Sequence, residues 1–246
     1  MTTSKTTLSP EEIREGQERI KAKIYANAKE LGLMNDDIWP MTDGVLNIEG
    51  YCKSEPRIMW ILKQPYDDIN NGTPCGGGWD VFGAFNNDDA HKNRTWVPIT
   101  YSLYGIRNKL QFDNMPDIRE DKSMIDLLKD IAYINIDKMP GRTNTSYNES
   151  AKAYKHWRGI IDEQIRLYDP QVICFANTFW LFKEDWKITD GAECETVSLT
   201  KGKSMLVYHK DGRLCLDTYH PAQHMLTRGV YVDAIINIVN KYFQER

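Results

Sequence analysis

The run Arg57-Ile58-Met59-Trp60-Ile61-Leu62 constrains this chain more than any other stretch. It is apolar after Arg57, without period-2 alternation, and Pro56 and Pro65 bound it. A short continuous apolar run between chain breakers reads as a strand buried on both faces, as in a parallel sheet. Pro65 lacks the N–H a ladder needs, so the chain must leave the sheet there and turn Gln64, Tyr66 and Asp67 outward. Similar runs recur at 131–136 and 171–176, the first ending in Asn135-Ile136-Asp137 and the second in Ala176-Asn177.

The stretches between these runs carry helical spacing. Ser9-Pro10-Glu11-Glu12 has the form of a capping box with Pro at the first helical position, and Ile13, Ile20, Ile24, Ala28 and Leu31 follow at helical spacing. The spacing predicts a helix over 10–31, ended by Gly32 and charged on its outer face. Further helices are predicted at 98–110, 123–130, 148–168 and 177–184. The third carries a basic face of Lys152, Lys155, His156 and Arg158. Strands at 205–208 and 213–218 meet at Asp211-Gly212, a hairpin signal, and a last helix over 229–244 buries Val232, Ile235, Ile236, Val239 and Phe243. Strands joined by helical crossovers define an α/β domain with a mainly parallel sheet between helices. At 246 residues one domain is expected, with 1–50 as a helical extension and 51–246 as the core.

Composition removes several function classes. A net charge of −4 argues against a nucleic-acid binder that uses its whole surface, though not against a local basic groove. No apolar run approaches the ~18 residues of a membrane span. The first nine residues are polar and lack the apolar core of a signal peptide, so a cytoplasmic protein is expected. Five cysteines without a CxxC pair fit a reducing compartment and offer no zinc or iron–sulfur site; Cys174 and Cys215 lie in apolar runs and are expected in the core. Of the five histidines only His220 and His224 stand at metal-ligand spacing, and Pro221 between them disfavours a helix there, so no metal is expected. There is no P-loop and no Gly-x-Ser-x-Gly elbow.

Two features remain open on the residues alone. The segment 67–94 is long and irregular, and holds Gly76-Gly77-Gly78 with Trp79, Phe82 and Phe85. Such aromatics can stack on a base or pin the loop to the core, and the glycines permit close backbone approach to a ligand. Asn135, near the end of a buried strand, can pair internally or read a ligand's donors and acceptors. Ligands of open parallel sheets sit beyond the carboxyl ends of the strands. Four such ends would converge here, at 64–68, 135–142, Asn177 and 220–228.

With those ends in view, the chain resembles the uracil-DNA glycosylase superfamily, whose core is a four-stranded parallel sheet between helices. Leu62-Lys63-Gln64-Pro65-Tyr66 is similar to its first motif, Ile134-Asn135 to its Leu-Asn strand end, Asp169-Pro170 to the turn before its third strand, and His220-Pro221-Ala222 with Arg228 to its last motif. The resemblance runs from Arg57 to the C-terminus. It implies a monofunctional DNA glycosylase, cytoplasmic, without metal or cofactor and monomeric, that extrudes a base and hydrolyses its glycosidic bond with water. Asn135 would read the base edge, Phe82 or Phe85 would stack on the base, and Tyr66 would wall the pocket. His220 would stabilise the anionic leaving base. His224, Met225 or Leu226 would fill the gap in the duplex, and Arg142 and Arg228 would grip DNA. Uracil or another altered pyrimidine, including the bulky decorated cytosines of some phage DNA, would be the substrate, in repair or anti-phage defence; Tyr66 as a pocket wall opposes the bulky base. The departure that matters most is Gln64, where the family carries Asp or Asn. An amide can orient water but cannot take its proton. Asp67, or Asp68 behind it, would then supply the anion. The alternative is a module on the same fold that binds altered bases or single strands without cleaving them.

Overall fold

The computed structural model describes residues 8–71, 73–86, 89–142 and 145–244, with the backbone alone for Phe82, Lys201 and Gln244. The strands are β1 (Gly44–Val45), β2 (Ile58–Leu62), β3 (Ile69–Asn70), β4 (Thr73–Pro74), β5 (Ala132–Asn135), β6 (Val172–Ala176), β7 (Glu193–Ser198), β8 (Ser204–Lys210) and β9 (Arg213–Thr218). The helices are α1 (Pro10–Glu30), α2 (Ile48–Lys53), α3 (Val81–Phe85), α4 (Trp96–Asn108), α5 (Tyr147–Tyr168), α6 (Phe179–Phe182) and α7 (Arg228–Gln244), with 3₁₀ turns between them, the longest at Lys122–Asp130. The principal sheet has seven strands in the order β1-β5-β2-β6-β9-β8-β7. Its four central strands, β5, β2, β6 and β9, run parallel. Antiparallel strands extend it at both edges, β1 on β5 and the β9-β8-β7 meander. The sheet is therefore wider than the four strands expected. The three added strands are the two-residue β1, β8, which the hairpin signal predicts, and β7, whose exposed Glu193-Cys194-Glu195 has no apolar face to read.

β2, β5 and β6 are buried throughout, because helices cover both faces of the parallel core. Trp60 and Leu62 of β2, Cys174 of β6 and Leu216 of β9 pack on one side with Ile99 and Leu103 of α4, Leu128, and Val232, Ile235 and Val239 of α7. Met59 and Ile61, Ile134, Ile173 and Phe175 pack on the other side with Ile13, Ile20, Ile24 and Ala28 of α1 and Trp157, Ile161 and Ile165 of α5. The first helix is thus part of one outer layer rather than an extension beside the core. Ser9 caps α1 by accepting from the Glu12 N–H, and Gly32 takes φ +62° just past its end, but Leu31 is exposed. The hairpin of β8 and β9 turns at Asp211 and Gly212 with φ of +51° and +78°, as Asp-Gly predicts.

Parallel strands place all four carboxyl ends on one edge. Beyond the sheet the chain after β2 still runs beside the chain after β5. Ile136 N–H donates to Leu62 O (2.8 Å), Asp137 N–H to Lys63 O (2.8 Å) and Gly141 N–H to Pro65 O (2.9 Å). Thr178 after β6 donates its hydroxyl to Ile61 O, so the third strand end is tied to the first.

Candidate functional site at the carboxyl edge of the sheet

Gln64 follows β2 directly. Its amide Nε2 donates to the Arg142 carbonyl (2.5 Å), so one half of the side chain is used to hold the loop after β5. That contact depends on Gly141, where an added Cβ would lie 2.2 Å from Gln64 Cδ. Tyr66 bridges Gly141 through its backbone and leaves its ring 61% exposed, at the rim of the edge rather than packed as a wall.

Asp67 is an anchor for the glycine-rich loop. One carboxylate oxygen accepts from Gly77 N–H (2.6 Å) and the Trp79 indole N–H (2.7 Å), and the other from Asp68 N–H (2.9 Å). Gly76, Gly77 and Gly78 all have φ between +74° and +84°, and a Cβ on Gly77 would sit 1.9 Å from Trp39 O. The close approach that these glycines permit is to Asp67 and to the Trp39 backbone. Asp67, expected to supply the anion, is held by these three donors to the glycine-rich loop; Asp68 is exposed.

Asn135 is tied inward as well. It is 3% exposed, its N–H donates to Asp43 Oδ2 (2.7 Å), and its amide nitrogen lies 3.5 Å from the same oxygen. Lys138, fully buried, donates to both Asp43 oxygens (2.8 and 2.9 Å), to Asn135 O and to Gln164 Oε1, and Gln164 returns a bond to Asp43 Oδ1 (2.8 Å). Burial pushes the Lys138 amine down from its ordinary range while Asp43 opposes the shift. This closed network was not foreseen, because Asp43 lies in a turn-rich segment and its cation lies 95 residues further on.

The aromatic expectations divide. Phe85 is 1% exposed and packs edge-on against Trp96 and Tyr133 at 5.0 and 5.4 Å, so it is a core residue and not a surface for a base. Leu226 is buried as well and is no wedge. The Phe82 side chain lies outside the described residues.

His220 follows β9 and is the most informative group of the edge. Its Nδ1 accepts from Ala222 N–H (3.2 Å), which puts the ring proton on Nε2. Burial, with the positive charge of Lys63 added to it, pushes its pKa down to about 4, so the ring is neutral at pH 7. Lys63, the residue before Gln64, is itself shifted down by burial, and nothing in its sequence context marks it. The loop that follows is held by Gln223, whose Oε1 accepts from Met225 and Leu226 N–H and whose Nε2 donates to Leu226 O. This presents Met225, 46% exposed, beside His224, whose Nε2 lies 2.9 Å from an Arg94 guanidinium nitrogen. Arg228 opens α7, and Arg142 and Arg228 are both exposed.

The structure therefore brings Lys63, Gln64, Tyr66, Arg142, Asn177, His220 and Met225 to one edge, while Asp67, Phe85 and Asn135 serve the framework. The edge offers a neutral N–H donor, a partly desolvated ammonium and an amide. Of the carboxylates near it, Asp67, Asp43 and Asp137 are each engaged, Asp137 by Met139 N–H and the Trp157 indole. Among the described residues no group of three or more His, Cys, Asp or Glu is placed to hold a metal ion. No helix among them is long and apolar enough to cross a membrane. No protein-family model matches the chain, and no curated protein matches it significantly.

Proposed function

We propose that this protein is a DNA N-glycosylase of the uracil-DNA glycosylase type, hydrolysing the bond between sugar and an altered pyrimidine. The observation that carries the reading is His220. Breaking a glycosidic bond leaves negative charge on the base and positive charge on the sugar. A neutral imidazole with Nδ1 occupied and Nε2–H available donates to the base oxygen as that charge develops, without having to be deprotonated first. Lys63 beside it adds positive charge in a partly desolvated setting, where it is worth more than in water. The four parallel strands with their ends gathered at one edge, and the loop of Met225 and His224 after His220, support the same plan. Water is the nucleophile, and Gln64, through its remaining carbonyl oxygen, orients it. Cleavage leaves the free base and an abasic site, in DNA repair or in defence against phage DNA carrying modified cytosine. The exposed ring of Tyr66, not packed as a wall, favours room for a substituted base.

One observation favours a second reading, a module that binds altered bases without cleaving them. Gln64 cannot act as a base, and the neighbouring Asp67 carboxylate is engaged by three N–H groups. Comparing wild type with His220→Ala separates the two. Under the glycosylase reading the variant binds DNA with an altered base but forms abasic product at least roughly 10²-fold more slowly, the usual loss of an electrostatic stabiliser. Binding by both proteins with no abasic product from either would establish the module.

A further inference from the structure

The substrate form follows from a feature outside the base site, and the inference rests on the reading just given. We propose that the DNA taken is single-stranded, and that Tyr147 and Trp180 form a platform on which an unpaired base beside the extruded one stacks. Tyr147 opens α5 and Trp180 lies in α6, so the pair stands where the chains after β5 and β6 emerge, on the same edge as Asn177 and Arg142. The rings are 3.8 Å apart at 21°, a face-to-face stack. Trp180 is half-buried against the core, whereas Tyr147 is 66% exposed, so its outer face is open to extend the stack by one more ring. A nucleobase offers such a face whatever its identity.

Charge near the platform fits a nucleic-acid strand. Arg142 lies just before α5, and Lys152 and Lys155 are exposed along it; of the acids on the two elements, Glu149 is bound to Ser146 N–H (2.7 Å) in a capping box, and Glu184 and Asp185 after Trp180 are paired with Lys183 and Arg158. Tyr66 presents a second exposed ring beside Gly141. The means of opening a duplex are thinner. Leu226 is buried, which leaves Met225 as the exposed apolar tip of its loop, and the net charge of −4 gives little general attraction for a duplex. Flat aromatic faces with a few local cations are how single strands are held; base pairing would hide the faces they bind.

The test is fluorescence anisotropy at low salt with a labelled oligothymidylate, alone and annealed to its complement, using wild type, Tyr147→Ala and Tyr147→Phe. The single strand should bind more tightly than the duplex. Tyr147→Ala should weaken it by roughly tenfold or more, and Tyr147→Phe, which keeps the ring, should bind as wild type. Duplex binding equal to or tighter than single-strand binding overturns the inference, as does unchanged binding by Tyr147→Ala or absence of binding by wild type. Abasic product from an altered base, scored in parallel on both forms, shows whether the glycosylase reading stands when this one falls.

Discussion

At the scale of single residues, His220 ties stability to pH in a defined direction. Its pKa falls from the ordinary 6.5 to about 4 on folding. The unfolded chain therefore takes up a proton before the folded one does. The stability involved is fully present above pH 6.5 and is lost as pH falls toward 4, by on the order of 1–3 kcal/mol. Asp217 works the other way over much of this window, since burial pushes its carboxyl up to about 6. The measurement is thus a difference: urea unfolding of wild type and His220→Gln from pH 4 to 7. The gap between them should shift in favour of wild type as pH rises, whereas a constant gap would remove the buried neutral imidazole. Gln64 gives a second prediction. Gln64→Glu keeps the shape but replaces the donor to Arg142 O with a carboxylate oxygen, so it should lower stability by about 0.5–1.5 kcal/mol, read from the thermal midpoint. Neither effect was legible beforehand. The apolar runs put Gln64 and His220 at strand ends, but no local pattern shows that one holds a loop and the other receives an N–H from the second residue beyond it.

At the scale of elements, the glycine-rich loop and the β5 end are framework, and substitutions in them should act through stability. Gly77→Ala forces both φ of +83° on a side chain and a contact with Trp39 O. It should loosen the loop at 67–94, seen as faster hydrogen exchange or proteolysis there, with the sheet still protected. Asp67→Asn weakens three charge-assisted bonds and should do the same; slower base excision with normal loop protection would instead return Asp67 to the chemistry. Lys138→Met leaves Asp43 buried without its cation and should cost about 3–5 kcal/mol, the usual consequence of breaking a buried pair. The elements were legible where the hydrophobic period is strong. β2, β5, β6, α1, α5 and α7 follow from their apolar runs to within a few residues. β7 was not legible because an exposed edge strand has no buried face, and β1 because two residues carry no period. Phe85 is ambiguous in sequence because a Gly-rich loop looks alike whether its aromatics point outward or pack on Trp96 and Tyr133.

For the molecule as a whole, the four central strands turn scattered short motifs into one edge. Lys63 acts on His220 there across 157 positions of sequence because β2 and β9 flank β6 in a parallel sheet. That convergence was readable from the order of strands and helices. The partition between framework and chemistry was not, since it depends on which polar groups find partners across the fold. The central claim is that this edge cuts a glycosidic bond, and the most direct test incubates wild-type protein with oligonucleotides that each carry one altered base, followed by alkaline cleavage. The panel holds uracil, hypoxanthine, hydroxymethylcytosine and glucosylated hydroxymethylcytosine, single-stranded and duplex. The account predicts strand breaks at an altered pyrimidine with wild type and their loss with His220→Ala. Intact strands throughout, or breaks that His220→Ala leaves undiminished, would contradict it.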